Sequence, residues 1–361
     1  MLICQDKRIK DIYYGGRKIK AAYLGNKKIF GRNSWKYAGG YPLFSPEACL
    51  LIDGKLLYCT PESCNVIEEN VTDAVFNPRN EFFADSDKGW IVYFLGEDGF
   101  YSREQNSIVD RSIYAAADRI LGVFSKTVRN SDVAYFLLQT KGLLKYHCPE
   151  VDYLAPDTSE PSLVFEEQII DVCHAEDREF ALTVSGRLFK LSYFIDYRTG
   201  AVDPETGGAP SGCFHTLNPL QIAENVTSIS KGDKGILYRN TAGEIWYWTS
   251  DNSTNLLLTT QSENVKLLGS DFLIDGIIYR CPTDENGLLC SSEGGFDTTA
   301  GGVSIKNGKL YNTTDLQNIV EIANVPDNFV EIQGMVAKTA DNRFYLILID
   351  LSAVELVTST E

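Results

Sequence analysis

The twelve residues Phe180-Ala-Leu-Thr-Val-Ser-Gly-Arg-Leu-Phe-Lys-Leu191 decide the fold, because similar stretches occur seven more times along the chain. In each copy an apolar run enters a turn, and a run that contains an aromatic residue leaves it. Glycine, or asparagine in the last copy, supplies the positive φ that a tight hairpin turn requires. We therefore interpret each copy as a β-hairpin. The other seven are Ala48–Tyr58, Ile91–Tyr101, Ala134–Tyr146, Ile236–Trp248, Phe272–Tyr279, Val303–Tyr311 and Met335–Tyr345.

The turns are 45, 43, 44, 57, 33, 32 and 34 residues apart. Self-similarity at such a period indicates a repeat architecture, and about 40–45 residues is typical of a four-stranded propeller blade. The sequence predicts an all-β protein whose residues 34–361 form a β-propeller of seven or eight blades. We expect the ring to close by strand pairing of Phe344–Asp350 or Ala353–Val357 with a strand from residues 35–45.

The longest spacing contains a run of turn-forming residues from Asp196 to Gly212. It predicts an exposed loop inserted in the propeller at about residues 194–219. Binding residues are often found on loops held by a rigid scaffold, although long loops are also tolerated insertions. Tyr197 and Arg198 in this loop are candidate contacts for a receptor or glycan.

The first 33 residues follow a shorter period, with Ile9, Ile19 and Ile29 ten residues apart. Gly15-Gly16 and Gly25-Asn26 are hairpin turn pairs, so we expect a small antiparallel meander. Three such strands bury too little apolar surface to be stable alone, and the segment must pack against another surface. We predict that it anchors the chain in an assembly through Ile9, Tyr13, Tyr14, Lys18, Ile19, Lys20, Tyr23, Lys27 and Ile29.

Charge separates the same two parts of the chain. The 361 residues carry a net charge of −16, but residues 1–37 hold ten Lys and Arg against two Asp, or 10 − 2 = +8. The remainder holds 33 − 10 = 23 basic and 49 − 2 = 47 acidic residues, or −24. A basic segment on an acidic body favours docking on an acidic partner, whereas the body itself repels nucleic acid and anionic membrane.

The basic repeats between Gln5 and Gly31 resemble the short lysine-lysine-isoleucine and tyrosine-leucine-glycine repeats at the N-termini of bacteriophage tail, fibre and other virion structural proteins. This resemblance implies a virion protein made in the cytoplasm of the bacterial host. Its partners would be other virion proteins, copies of itself and a host surface receptor or glycan. The absence of an apolar run near the N-terminus predicts no signal peptide, and no run is long enough for membrane insertion.

The repeats at Phe180–Leu191 and Ile236–Trp248 resemble the regulator-of-chromosome-condensation repeat family, in which an apolar strand, a glycine turn and an aromatic strand follow in this order. The family's run of glycines with Asn, Gln and Leu is missing, since Trp248 is followed by Thr-Ser-Asp-Asn-Ser. The resemblance therefore implies the propeller and not the family's exchange-factor and chromatin roles.

Cysteine and histidine offer little chemistry. Nine cysteines are scattered along the chain, and we expect free thiols, with Cys59, Cys148 and Cys281 as small buried residues at a shared blade position. His147-Cys148, Cys173-His174 and Cys213-x-His215 lack the paired spacing of zinc ligands. We predict no catalytic residue, no metal and no cofactor.

The aromatic triplet Trp246-Tyr247-Trp248 has two readings. Strand alternation would place both indoles on one face of a sheet, where core packing is favoured. Exposed indoles would instead form a platform for a sugar or receptor. The overall prediction is a non-enzymatic phage tail, baseplate or fibre component. The alternatives are a cellular propeller scaffold that binds a protein partner, and a glycan-binding propeller lectin.

Overall fold

The computed structural model describes residues 35–41, 46–77, 91–96, 100–104, 117, 119–128, 131–147, 162–175, 178–197, 213–232, 235–249, 253–281, 288–348 and 350–358, together with six short strands before residue 32. These residues contain strands and turns but no helix. The predicted all-β class is confirmed.

The N-terminal strands form three separate antiparallel pairs, β1 with β2, β3 with β4 and β5 with β6. The predicted turns at Gly15-Gly16 and Gly25-Asn26 lie between the members of the second and third pairs. The described strands are therefore three hairpins and not the single meander that we expected. Their bounds are Ile3–Cys4, Lys7–Arg8, Ile12–Tyr14, Arg17–Ile19, Ala21–Leu24 and Lys27–Gly31.

The strands from residue 35 onward form antiparallel sheets in which consecutive strands are neighbours. Sheet I contains β7 (Trp35–Tyr41), β8 (Glu47–Ile52), β9 (Lys55–Cys59) and β10 (Cys64–Glu68), and sheet II contains β11 (Asp73–Asn77), β12 (Ile91–Leu95) and β13 (Phe100–Glu104). A seven-stranded sheet contains β14 (Arg119–Val128), β15 (Ser131–Thr140), β16 (Leu143–His147), β17 (Ser162–Ala175), β18 (Arg178–Thr183), β19 (Leu188–Tyr197) and β20 (Cys213–Ala223).

Four-stranded sheets follow. We number them V to VIII, because the seven-stranded sheet counts as two units, sheets III and IV, for the reason given below. Sheet V contains β21 (Val226–Lys231), β22 (Gly235–Asn240), β23 (Glu244–Thr249) and β24 (Thr254–Thr259). Sheet VI contains β25 (Val265–Leu268), β26 (Asp271–Ile274), β27 (Ile277–Arg280) and β28 (Leu289–Cys290). Sheet VII contains β29 (Thr298–Ala300), β30 (Val303–Lys306), β31 (Lys309–Asn312) and β32 (Val320–Glu321). Sheet VIII contains β33 (Phe329–Gln333), β34 (Val336–Thr339), β35 (Phe344–Ile347) and β36 (Ala353–Leu356).

The seven-stranded sheet consists of two units that share β17. The first half of this strand pairs with β16, from Ser162 opposite Tyr146 to Gln168 opposite Leu143. The second half pairs with β18, beginning with Ile169 opposite Thr183. We call the first unit sheet III and the second sheet IV. Each then has four strands, like the sheets that follow.

All eight predicted hairpins are present, as β8–β9, β12–β13, β15–β16, β18–β19, β22–β23, β26–β27, β30–β31 and β34–β35. The turn residues adopt the left-handed conformation that the sequence predicted. In Asp53-Gly54, for example, φ is 49° and 85°. The tip of the second hairpin, with Asp98-Gly99, lies outside the described residues.

In six of the sheets the turn glycine also connects the sheet to the chain that enters the next. The N–H group of Val71 donates to the carbonyl of Gly54 at 2.9 Å, and that of Val226 donates to Gly186 at 2.8 Å. Four further glycine carbonyls accept in the same way, in the pairs Ile169–Gly142, Thr260–Gly243, Phe296–Gly276 and Phe329–Gly308. The hairpin turn of one sheet and the start of the next therefore lie at the same end of the strands, which we call the turn face.

The core consists of apolar layers between successive sheets. Phe180 of sheet IV is fully buried against Trp248 of sheet V, with ring centroids 5.0 Å apart. A partly buried ion pair adds a polar link. The Arg280 guanidinium binds the Asp271 carboxylate through two bonds of 2.8 Å and donates to the Thr313 carbonyl, which joins sheet VI to sheet VII.

Sheets I and VIII meet in a contact that we call the terminal seam. The Trp35 indole N–H donates to Glu331 at 2.7 Å, and the Tyr37 N–H donates to the Gln333 side chain at 3.1 Å. Trp35 also packs edge-on against Phe344, 5.3 Å between centroids. The predicted strand pairing across the termini is wrong, since β7 pairs with β8 and β36 pairs with β35. Both sheets are complete with four strands, so side chains make the contact.

Two further expectations are corrected. Cys59 and Cys64 form a disulfide, because the register places them opposite each other on β9 and β10 with Cα atoms 4.1 Å apart. Free thiols remain at Cys49, Cys173, Cys281 and Cys290 among the described residues. Cys148 lies outside them. The loop predicted at 194–219 is also partly strand, since residues up to 197 pair with residues from 213 onward.

Candidate functional site

The described N-terminal hairpins place aromatic and aliphatic residues opposite basic ones. Tyr13 lies opposite Lys18 and Tyr14 opposite Arg17, and Tyr23 lies opposite Lys28 in the next hairpin. Seven of the predicted anchor residues are therefore on strands: Tyr13, Tyr14, Lys18, Ile19, Tyr23, Lys27 and Ile29. Ile9 and Lys20 lie outside the described residues.

The Trp246-Tyr247-Trp248 stretch lies on β23 and alternates as predicted. Trp248 is only 4% exposed and packs in the core, and Tyr247 is equally buried on the other side of the sheet. Trp246 is partly buried, and its indole N–H donates to Glu244 at 3.1 Å. Burial removes Trp248 from the candidate contact surface and leaves Trp246, whose ring lies parallel to that of Tyr238.

The candidate contact Tyr197 is the last residue of β19, in register with Cys213. Arg198 lies outside the described residues. In the described part of the chain no helix is long and apolar enough to cross a membrane.

Cys173 and His174 are consecutive residues of β17. Burial, together with the Asp171 carboxylate, raises the pKa of the Cys173 thiol well above its usual value. A neutral thiol is a poor nucleophile and a poor metal ligand. His174 lies 3.3 Å from the Glu179 carboxylate. No group of three or more His, Cys, Asp and Glu side chains that could hold a metal occurs within the described ranges.

Glu179 has an unusual environment. Its side chain is 1% exposed, and its Oε2 atom is buried and accepts no hydrogen bond. An unsatisfied buried carboxylate oxygen costs about 1–3 kcal/mol or more, so such a group attracts a donor. The adjacent His174 side chain is 32% exposed, and the pair therefore reaches the surface.

Two hairpins extend far beyond the sheets to which they belong. β14 and β15 pair as far as Val128 and Ser131, whereas β16 pairs with β15 only from Phe136 to Thr140. We call residues 123–128 and 131–135 ribbon 1. Ribbon 2 consists of residues 192–197 and 213–218, which pair with each other beyond the last β18 contact at Leu191. Six residues of strand extend about 20 Å.

Both ribbons leave the molecule on the side opposite the turn face. The Gln168 carbonyl accepts from Val184, beside the β18–β19 turn, and the Gln168 amide donates to the Lys141 carbonyl in the β15–β16 turn. These two turns therefore lie at the same end of sheets III and IV. The far ends of both ribbons therefore lie on the side opposite the turn face, and the ribbons belong to the two outer edges of the seven-stranded sheet.

The ribbons were not predicted from the sequence, although a signal was available. The stretches Val123-Phe-Ser-Lys-Thr-Val128 and Ser192-Tyr-Phe-Ile-Asp-Tyr197 contain several β-branched and aromatic residues and continue their strands well beyond the usual five or six residues. β-branched and aromatic residues favour such extension.

No protein-family model matches the chain, and no curated protein matches it. Among solved structures, the chain is similar to BBS1N in complex with ARL6DN, with 7% identity, a TM-score of 0.41 and coverage of 90% of this chain and 94% of that chain. It is also similar to the computationally designed Ika8 protein, with 13% identity, a TM-score of 0.39 and coverage of 85% and 97%. Human WBSCR16 matches with 14% identity, a TM-score of 0.38 and coverage of 73% and 79%. These TM-scores are too low to support an argument.

Proposed function

We propose that this chain is a non-enzymatic structural protein of a bacteriophage virion, a tail, baseplate or fibre component. Residues 34–361 form a closed eight-bladed β-propeller that presents interaction surfaces, and residues 1–33 anchor it in the assembly. The observation that carries the anchoring role is the set of basic N-terminal hairpins with +8 over residues 1–37, next to a body of −24.

The ring is supported by three features of the described residues. Each of the eight hairpins belongs to its own sheet, when the seven-stranded sheet is counted as sheets III and IV. The turn glycines connect successive sheets through one repeated hydrogen bond. The terminal seam brings sheet VIII against sheet I through Trp35 and Glu331. In a closed ring the first and last sheets cover each other, so neither is left exposed at an end of the array. All-β proteins commonly protect their sheets by closing in this way.

A structural role is favoured over catalysis by what the polar groups of the described residues do. The buried Asp73 carboxylate accepts from Lys36 of sheet I at 2.5 Å and from the Ile120 N–H of sheet III at 2.8 Å, so it joins three sheets. Asp271 is likewise held by Arg280. Asp73 thus stabilises contacts between sheets, and Asp271 holds the Arg280 side chain that donates to the Thr313 carbonyl.

The proposal is tested by mass spectrometry of purified phage particles from a culture that expresses the gene with its neighbours. We expect peptides of this chain in particles at a fixed ratio to a major tail protein. A chain that is abundant in the lysate and absent from purified particles would overturn the virion assignment and favour a cellular scaffold. Tail or baseplate genes on either side of the gene would support the virion assignment independently.

A further inference from the structure

The outer edge of sheet V differs from the outer edges of the other sheets. An outermost strand can pair with a strand of another chain, and proteins usually prevent this with charged residues, with proline or with a very short strand. β24 is the outermost strand of sheet V and has six residues. From Ser253 to Ser262 the chain contains no charged residue and no proline. This edge therefore lacks all three of these protections.

The other outermost strands that the structure describes each have one of the three protections. Charged residues occur on β10, on β13, on the first half of β17 and on β36, and proline occurs on β20. β28 and β32 have only two residues each. Within the described ranges, sheet V is thus the one sheet with a long unprotected edge. The charged residues are Glu68, Arg103, Glu104, Glu166, Glu167 and Glu355, and the proline is Pro219.

The accessible part of β24 lies before a bulge. The register with β23 shifts between Leu258 and Leu256, so Leu257 is an extra residue on β24. Thr254, Asn255 and Leu256 precede the bulge, and all three side chains are exposed. Leu256 is 47% exposed although it is apolar. Residues 254–256 are therefore the part of the edge that can pair regularly with another strand.

A second exposed leucine lies beside this edge, on sheet IV. Leu220 is 56% exposed and is in register with Lys190. Cross-strand partners share a face, and the Lys190 ammonium lies 5.4 Å from the centroid of the Trp248 ring, so Leu220 faces sheet V. Trp248 is in turn in register with Thr254. Leu220 is therefore level with Thr254, on the side of sheet V that faces sheet IV.

We propose that two copies of this chain associate edge to edge through β24, with the two strands antiparallel and related by a two-fold axis at Asn255. The Asn255 amide is both a donor and an acceptor, so it is complementary to its own counterpart. Leu256 of each copy lies opposite Thr254 of the other copy and on the same face. This position is beside Leu220, so the contact covers both exposed leucines of each copy.

Charge favours a second copy as the occupant of this edge. In a two-fold contact both copies present the same surface, so a charged residue near the axis meets a like charge. The body has a net charge of −24, and two copies therefore repel each other over most of their surface. The uncharged stretch that contains β24 avoids this repulsion. Main-chain hydrogen bonds across the edge supply attraction, as in other cases of strand addition. The inference goes beyond the virion role, because it does not use residues 1–33.

The test is sedimentation equilibrium of the full-length chain over a range of concentrations. We expect a reversible equilibrium between the 40.2 kDa monomer and a dimer of twice that mass. Asn255→Lys places two like charges at the axis and should raise the dimer dissociation constant about tenfold or more. Val320→Lys is the matched control with the same net charge, because Val320 is an exposed residue on the outermost strand of sheet VII. It should change the constant by less than about twofold.

An equimolar mixture of Asn255→Lys and Asn255→Asp chains separates loss of the contact from loss of folding. Each variant alone should associate weakly, whereas in the mixture opposite charges meet at the axis and association should return. A wild-type chain that stays monomeric at every concentration would overturn the proposal. Equal weakening by Asn255→Lys and Val320→Lys would also overturn it, as would a mixture that associates no more strongly than either variant alone.

Discussion

The alanine substitution of Gly308 measures how far the fold depends on the repeated turn. Gly308 has φ +81°, and a Cβ atom there would lie 2.4 Å from the Asp327 carbonyl oxygen. Gly54 is the matched control, because its φ is +85° and the nearest atom to its Cβ would be the Val71 carbonyl oxygen at 3.8 Å. Gly308→Ala and Gly54→Ala both force an L-residue into the left-handed conformation. Only Gly308→Ala also creates a steric clash.

The left-handed conformation costs an L-residue about 1–2 kcal/mol. Forcing an atom into a packed position adds about 1–3 kcal/mol. We therefore expect Gly54→Ala to lower the free energy of unfolding by about 1–2 kcal/mol and Gly308→Ala to lower it by about 2–5 kcal/mol. For a chain of this length the unfolding entropy is roughly 0.7 kcal/mol/K, so the thermal midpoints fall by about 1.5–3 °C and about 3–7 °C.

The assay is thermal unfolding followed by far-ultraviolet circular dichroism and calorimetry at several scan rates. Equal midpoints for the two variants would refute the reasoning, because the close approach of Gly308 to the chain entering sheet VIII would then have no energetic effect. If the thermal midpoint of Gly54→Ala equals that of the wild type, the expected cost of the left-handed backbone conformation is refuted.

Three further predictions concern other contacts. Trp35→Phe removes the donor of a bond to a carboxylate in the terminal seam and should destabilise the chain by about 1.5–3 kcal/mol in urea unfolding; no change would mean that this bond does not stabilise the contact between sheets I and VIII. Partial burial tends to raise the pKa of Glu167, but hydrogen bonds from Ser185 and Arg187 outweigh it and lower the pKa to about 2. This stability is present above the usual value of 4.5 and is lost as the pH falls toward 2, so Arg187→Gln should flatten the thermal midpoint between pH 4.5 and 2, and an unchanged slope would contradict the pairing. Reduction of the bond between Cys59 and Cys64, which closes a short loop, should cost about 2 kcal/mol. The chain has nine cysteines, so mass spectrometry of alkylated protein that finds more than 9 − 2 = 7 free thiols without reductant would exclude the bond.

The hairpins could be predicted from the sequence because their determinants are local. A pair such as Asp53-Gly54 between apolar runs fixes a turn through its own φ preference, and no distant residue is needed. The same reasoning predicted the turns of the N-terminal segment. It did not predict that its strands separate into pairs, because the separation depends on which strand edges form hydrogen bonds with each other.

The seam and the disulfide could not be predicted in this way, because each depends on residues that the fold brings together. Trp35 and Glu331 are 296 residues apart. Cys59 and Cys64 are close in sequence, but their pairing required the register of β9 and β10. Glu179 is one of 49 acidic residues, and what sets it apart, a buried Oε2 atom that accepts no hydrogen bond, depends on the fold.

The central claim is that residues 1–33 join a folded body to an assembly. It is tested most directly in the full-length chain with Tyr13→Asp, Ile19→Asp and Tyr23→Asp, compared with wild type for its content in purified particles and for its thermal midpoint. We predict an unchanged midpoint, because the body is held by its own sheets and seam, together with loss of the chain from particles. Incorporation of the triple variant at the wild-type ratio would contradict the claim.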